Sequence, residues 1–496
     1  MKLKVVLFYI VLILALFIFM SCAGDDGSGS PDNTDAGDTT AAGDETVAEE
    51  AAVKAPDIEA VDGGGKDFVI LNRKVTETYN GHPYNEFFAE SQTGDVLNDS
   101  VYLRNLAIEE KYNINISSVE DDDVKGIASK AILAGDDLYD VASLGLRYAF
   151  TLAVSDYLFN INDIPHLDFT QPWWMSNIIS DTSIGGKNYF VSGDMNIGAF
   201  NTAGVTYFNK KLIGDHNLDD PYQLVRDMKW TIDKLSEMSK AVTEDLNGDG
   251  VFDHQDKFGL DCSSFAWQPL FYGTNNLMIK KDSNDMPYFD ASNEAIYDAI
   301  VKIITLLNNQ ETTLNVNHLS GFSDLGKLTV DMFKSDSALF FIELIYGVPP
   351  LRDMDSDFGL LPMPLYSEAQ STYTTYLHTS NASTIVIPKT NDDLDLIGRV
   401  LEDMAYESYI KVRPVFYDIM LKTKFSRDND STEMLDIIYD NVKIDLALVM
   451  IDHGINIDGL LRGACTSGDT NIISTLAASE EVYNASIQTA IEILAK

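Results

Sequence analysis

From Phe68 onward the chain alternates short apolar runs with longer amphipathic stretches, and that alternation confines it to a layered α/β architecture. Phe68-Val-Ile-Leu71 reads as a buried strand. Asn98 or Asp99 can cap a helix running to about Tyr112, with apolar Val101, Tyr102, Leu106 and Ile108 along it. Ile114-Asn-Ile116 is a second short strand, Asp121 to Leu133 a second helix, and Leu138 to Leu144 a third strand. Strands alternating with helices predict a mostly parallel sheet covered by helices. Ligands of such sheets sit beyond the carboxyl ends of the strands, here near the loops after Leu71 and Leu144.

The pattern returns with different punctuation. Val205 to Phe208 reads as a strand, Thr231 to Ala241 as a helix capped by Thr231, and Ala291 to Asn308 as a long amphipathic helix. Ala338 to Ile342 and Phe358 to Leu361 are further strands, the latter stopped by Pro362 and Pro364. Ser383 to Ile387 is a strand before Pro388, and the chain from Asp392 is predominantly helical. Lys66 to Lys496 is too long for one small domain and fits two lobes.

The N-terminus carries a different message. Lys2 and Lys4 precede an uncharged apolar run from Val5 to Met20, the layout of a signal peptide. The run is short against the roughly 20 residues of a bilayer span, and no basic stop-transfer cluster follows it. It ends at Phe19-Met20-Ser21-Cys22, which resembles the lipobox of bacterial lipoproteins and implies that residues 1–22 are a lipoprotein signal segment whose Cys22 is lipidated and becomes the new N-terminus. Ser21 and Ala23 fit that pattern, whereas Phe19 and Met20 depart from it. An uncleaved anchor, or a plain secretory signal beside a cysteine, is the alternative. Residues 23–65 hold twelve acidic residues against one Lys and no aromatic, so they are expected to form a disordered acidic tether.

With 77 acidic against 35 basic residues the chain carries a formal charge of −42, which excludes nucleic acid and electrostatic adhesion to anionic lipid as partners. Cys262 and Cys465 lie too far apart in sequence for their spacing to decide between a disulfide and two buried thiols.

Several segments, in order, are similar to family 1 extracellular solute-binding proteins, the receptors of bacterial ABC importers, in their carbohydrate-binding branch. They are Gly185-Gly-Lys-Asn-Tyr-Phe190, Val205-Thr-Tyr-Phe-Asn-Lys-Lys-Leu212, Asp220 to Val225 with Lys229-Trp-Thr-Ile-Asp233, Phe333 to Ile342, Phe358 to Pro364, and Ile385-Val-Ile-Pro-Lys389. The resemblance implies the type II periplasmic-binding-protein fold, two α/β lobes joined by crossing strands with ligand between them. By analogy the crossovers fall near Thr202 to Phe208, Ser335 to Phe341 and Asn381 to Ile387. Lobe one is then 66–202 plus 338–382, and lobe two 203–337 plus 383–496. It further implies a non-enzymatic receptor on the outer face of the membrane, in a Gram-positive-type bacterium, delivering an oligosaccharide to ABC permease subunits. A peptide or another polar solute in the same fold is an alternative cargo.

Two constellations could carry chemistry. Asp245, Asn247, Asp249, Val251, Asp253 and Asp256 match the twelve-residue calcium loop, with Gly250 at its sharp turn and Val251 offering a carbonyl. Asp256 stands where the template has a bidentate Glu, and an acidic turn without metal is the plainer reading. A structural Ca2+ is expected. The second constellation is aromatic, because sugar rings stack on Trp and Tyr while neighbouring polar groups bind hydroxyls. The candidates are Trp267, Glu343, Tyr346, Trp173, Trp174, Asp194, Tyr373 and Tyr376, with Trp230 assigned to the core and one of Trp173 and Trp174 expected to pack. No hydrolase elbow, zinc motif or phosphate loop is present, although a glycoside hydrolase needs only two carboxylates and is the alternative from another class.

Overall fold

The run Phe68–Leu71 forms the centre of a strand flanked on both sides, so it is buried on both faces, as central strands of parallel sheets are. This computed structural model describes residues 53–75, 84–347, 351, 353–420 and 430–496. The first half runs β1 (Lys66–Arg73), α1 (Val96–Tyr112), β2 (Ile114–Asp121), α2 (Val124–Ala134), β3 (Val141–Gly145) and α3 (Leu146–Val154). Helix α1 starts earlier than its sequence signals suggest. Asp95 caps it through Asn98 N, while Asp99 accepts from Thr93 N. Asn113, at φ 48°, turns the chain into β2.

The second half runs β4 (Gly204–Asn209), α4 (Ile232–Val242), β5 (Phe258–Cys262), α5 (Trp267–Gly273), the hairpin β6 (Ile279–Lys281) and β7 (Pro287–Phe289), α6 (Glu294–Leu307), β8 (Thr313–Asn315) and α7 (Leu325–Lys334). It continues through β9 (Ala338–Leu344), β10 (Phe358–Leu361), β11 (Thr375–Tyr376), β12 (Ser383–Val386), α8 (Leu394–Glu407), α9 (Arg413–Met420) and α10 (Asp430–Asp440). The last elements are β13 (Val442–Lys443), α11 (Ile457–Ser467) and α12 (Glu480–Leu494). Thr231 caps α4 through Lys234 N, as its sequence suggests.

Two sheets organise these elements. The first has the order β12-β3-β1-β2, with β12 antiparallel to β3 and the others parallel. The second has the order β10-β4-β9-β5-β8, with β5, β8 and β9 parallel and β4 antiparallel to β9. The lobe boundaries expected from sequence therefore need correction. Residues 338–361 supply β9 and β10 to the second sheet, not to lobe one, and β12 with α8 belongs to the first sheet rather than to lobe two. The segment near Ser335 to Phe341 is no crossover. The chain passes between sheets near Thr202, where Ala203 pairs with Leu377 and His378 N donates to Thr202 O at 3.1 Å, so outgoing and returning segments run side by side.

The signal segment, Cys22 and the tether as far as Ala52 lie outside the described residues. The tether's expected end at Gly65 is too late. Ile58 and Val61 pack against a core cluster of the first sheet, Glu59 O accepts from Arg399 at 2.8 Å, and Gly63 N donates to Tyr112 O at 2.7 Å. Ile58 and Val61 give this stretch just enough apolar surface to dock. Cys262 and Cys465 are both buried and both free. Among the described residues no helix is long and apolar enough to cross a membrane.

Helix α8 buries Glu402 beneath two indoles: Trp173 Nε1 and Trp174 Nε1 donate to its carboxylate at 2.9 and 3.0 Å, and Asp168 N donates at 3.1 Å. Burial outweighs these donors and pushes Glu402 from 4.5 up to about 7. The folded protein thus holds this proton more tightly than the unfolded chain. The associated stability is complete below about pH 4.5 and is lost as pH rises through about 7. Stability measured by chemical denaturation is expected to fall between about pH 5 and pH 8, and Glu402→Gln, with no proton to lose, to flatten that fall. An unchanged slope in the variant would assign the pH dependence to other groups.

Candidate ligand cleft at the sheet ends

The parallel strands of both sheets end where the crossing segment passes. β1 ends at Arg73; β2 leads into Asp122 and Asp123; β3 leads through Gly145 into Arg147 and Tyr148 of α3. From the second sheet, β5 runs into the turn Ser264–Ala266 and Trp267, and β9 into the turn Ile345–Gly347 that carries Tyr346. On the first sheet's side of this junction lies a cavity of about 270 Å³, lined among others by Arg73, Lys125, Leu144, Tyr148 and, from the returning segment, Asn381. It is built from the ends of β1 and β2, the first turn of α2, the β3–α3 junction and the returning segment, and its lining is mostly polar or charged.

Asn381 ties the two sides together. Arg73 Nη1 donates to its Oδ1 at 3.5 Å, and Tyr346 is also in hydrogen-bond contact with it. Arg73 is half-buried, and desolvation pulls its guanidinium below the ordinary arginine range. Burial pushes the Tyr346 hydroxyl up, so it stays a donor at neutral pH. His378, on the same crossing segment, is pushed down to about 4 by burial and by the nearby Arg462, and is neutral. Arg147 pairs with Asp452, which fixes the start of α3 against the C-terminal helical region.

On the other side Asp458 gathers three donors: Trp267 Nε1 at 3.2 Å, Gln268 Nε2 at 2.6 Å and Arg462 Nη2 at 3.0 Å. The Arg462 guanidinium lies 5.5 Å from the Phe265 ring, which also meets His378 at 5.6 Å. Trp267, the leading candidate for stacking, is 2% exposed and packs against Phe271 and Tyr272.

Of the other sequence candidates, the structure brings Glu343, Tyr346 and Tyr376 toward the crossing. Glu343 is half-buried on β9 and accepts from Leu344 N at 2.8 Å. Tyr376 stacks on Tyr272 and donates to Gln268 Oε1. Tyr373 is directed elsewhere, donating to Val225 O at 3.1 Å. Trp173 and Trp174 both belong to the core around Glu402, which corrects their assignment to the ligand. Asp194 is buried as well. It pairs with Arg413 at 3.4 Å and accepts from Tyr439 at 2.7 Å, and burial pushes it up to about 6. It holds a turn of the first half against α9 and α10.

Arg73, Lys125, Tyr148, Asn381 and Arg462 were absent from the sequence candidates. The loop position after β1 was a signal for Arg73, since the strand-end rule points there whatever the residue type. Tyr148 and Asn381 carried no comparable mark.

The acidic loop is self-supporting. Asp245 accepts from Gly248 N and Gly250 N at 2.7 and 2.9 Å, Asn247 from Asp249 N, and Asp249 from Val251 N. Asp256 is fully buried and accepts from Leu246 N and Asp253 N, both at 3.0 Å. Gly248 and Gly250 sit at φ 72° and 77°, where a side chain would be strained. Each carboxylate retains lone pairs, so the donor set is chemically suited to a hard cation. Among the described residues no group of three acidic, His or Cys side chains converges at metal-holding distance.

No family model matches the chain and no curated protein matches it. Solved structures do. A cyclic alpha-maltosyl-1,6-maltose binding protein from Arthrobacter globiformis is 14% identical over 86% of this chain and 100% of its own, with a TM-score of 0.56. RafE from Streptococcus pneumoniae, in its apo form, is 13% identical over 84% and 97%, with a TM-score of 0.54. An ABC substrate-binding protein from Listeria monocytogenes in complex with cycloalternan is 11% identical over 86% and 99%, at 0.52. The chain has the fold of these substrate-binding proteins, the two-lobed type II periplasmic-binding-protein architecture. The two sheet orders, each with one antiparallel strand delivered by a crossing, are what that fold requires.

Proposed function

We propose that this protein is an extracellular receptor of an ABC importer that captures a carbohydrate, most simply an oligosaccharide, between its two sheets and delivers it to a membrane permease. The observation that carries the reading is the polar cavity at the strand ends of the first sheet, where Asn381 of the returning segment meets Arg73 and links it to Tyr346 after β9. Support comes from proteins of the same fold whose names state a sugar ligand, cycloalternan and cyclic maltosyl-maltose among them. Capture follows from ligand contacts that favour the closed arrangement of the lobes. A thermal-shift screen against an oligosaccharide panel is expected to raise the melting temperature for at least one glycan, because ligand binding to the folded state alone stabilises it. The same glycan is expected to release no reducing sugar on prolonged incubation. Release would make the protein a glycoside hydrolase; no shift across the panel would remove carbohydrate as the cargo.

Two further elements complete the reading. Lipid on Cys22 would hold the receptor near its permease in an organism without an outer membrane, and the support is the Phe19-Met20-Ser21-Cys22 segment after an apolar run. Mass spectrometry of the membrane fraction is expected to find a diacylglyceryl-modified N-terminal peptide beginning at Cys22, and the Cys22→Ala protein to appear in the medium. Recovery of unmodified wild-type peptide would remove the anchor. Structural Ca2+ in the loop Asp245–Asp256 is supported by the spacing of its oxygen donors and by the two glycines with positive φ. Calorimetric titration with Ca2+ is expected to give binding heat that Asp249→Ala abolishes; the same heat in the variant, or none in the parent, would exclude it.

A further inference from the structure

Acidic residues outnumber basic ones by 77 to 35, so a guanidinium in this chain rarely lacks a counter-ion. Among the described arginines, Arg147, Arg226, Arg399, Arg413 and Arg462 each pair with a carboxylate. Arg104, fully buried, places its donors on Asn105 Oδ1, Ser408 Oγ and the carbonyls of Glu86 and Phe87. Arg73 differs from all of them. The one hydrogen bond of its guanidinium among the described residues is the 3.5 Å contact with Asn381, it makes no ion pair there, and it lines the cavity.

The acidic groups around it do not neutralise it by contact. Asp123 is turned to its own helix, capping α2 through Gly126 N at 2.9 Å. Asp122 is exposed to water at the cavity rim. Glu86 accepts from Gly198 N at 2.6 Å, and burial pushes it up to about 7, so it is largely protonated at mildly acidic pH. Lys125, a second cation of the lining, also makes no ion pair among the described residues, and its Nζ stands 5.4 Å from the centre of the Tyr148 ring.

We propose that the cleft takes an acidic carbohydrate, a uronate-containing oligosaccharide whose carboxylate is bound by Arg73 with Lys125 beside it while its ring lies on Tyr148. This rests on the carbohydrate reading above and sharpens it. Neutral hydroxyls are well served by Asn, Asp and Glu, which the chain has in excess. A half-buried guanidinium whose described partner is one neutral amide at 3.5 Å carries a desolvation cost that a ligand carboxylate offsets through two parallel charge-assisted hydrogen bonds. The cavity, at about 270 Å³, is just under the ~300 Å³ lower bound of ordinary ligand pockets, which suits one sugar unit held tightly with the rest of the chain outside.

Calorimetry on the full chain should compare uronate trisaccharides (galacturonate, mannuronate and glucuronate types) with maltotriose, using wild type, Arg73→Gln and Arg73→Lys, each checked for an unchanged melting curve. A uronate trisaccharide is expected to bind more tightly than maltotriose, to lose at least tenfold in affinity in Arg73→Gln, and to lose less in Arg73→Lys. Binding of maltotriose without any uronate, or uronate binding indifferent to Arg73→Gln, overturns the acidic assignment and leaves the carbohydrate reading standing. Binding of neither class by the wild type overturns both.

Discussion

A Cβ at Gly145 would stand 2.1 Å from the Ser380 carbonyl oxygen. That closeness is possible only for glycine, and it lets the returning segment pass directly over the end of β3. From there Leu146 N and Arg147 N donate to Ala382 O and Thr379 O, and β12 enters the first sheet opposite β3. The same segment pairs through Leu377 with Ala203 on the outgoing crossing. Both passages between the sheets are therefore fixed within a few residues of one another. Asn381, on the returning segment, thereby takes its place between Arg73 of the first sheet and Tyr346 after β9.

An acid-rich chain folding around such a junction must bury some of its carboxylates, and it does so in two ways. Asp194 is given a cation, Arg413, whose guanidinium lies 4.4 Å from the Tyr439 ring centre. Glu402 and Asp445 receive only neutral donors. Asp445 accepts from the backbone of Met278, Ile279 and Ala447 and is pushed up to about 6, Glu402 to about 7. In neither case do the donors offset the loss of hydration: Asp194 is pushed up to about 6 even beside Arg413, and all three groups hold protons that exposed carboxylates release.

The strands were legible from sequence because a strand buried on both faces must be a short apolar run bounded by polar or proline residues; β1, β3, β9, β10 and β12 all carry that mark. Which sheet each joins was not legible. β9 reads identically whether its neighbour is β3 or β4, and only pairing across more than a hundred residues decides. Trp173 and Trp174 failed for a related reason: their partner Glu402 lies more than two hundred residues away, and without it an exposed-looking Trp pair after a proline suggests a ligand platform. The strand-end position pointed to Arg73, but that its guanidinium has no counter-ion among the described residues is set by distant partners, which no local window contains.

The far field and the near field of this molecule then oppose each other. At a distance an anion meets a body of charge −42, but at physiological ionic strength that repulsion is screened over about 8 Å. The cavity lining sets Arg73 and Lys125 against Asp122 and Asp123 and is neutral in sum. An acidic glycan would therefore be slowed on approach and held on arrival. Added salt, by weakening the first effect over long range and the second only at contact, acts on association and on retention in opposite directions. A receptor with its cations exposed on the surface would attract every anion in its surroundings. Arg73, half-buried at the end of β1 with Lys125 in the first turn of α2, would instead confine that attraction to an anion that fits the cavity.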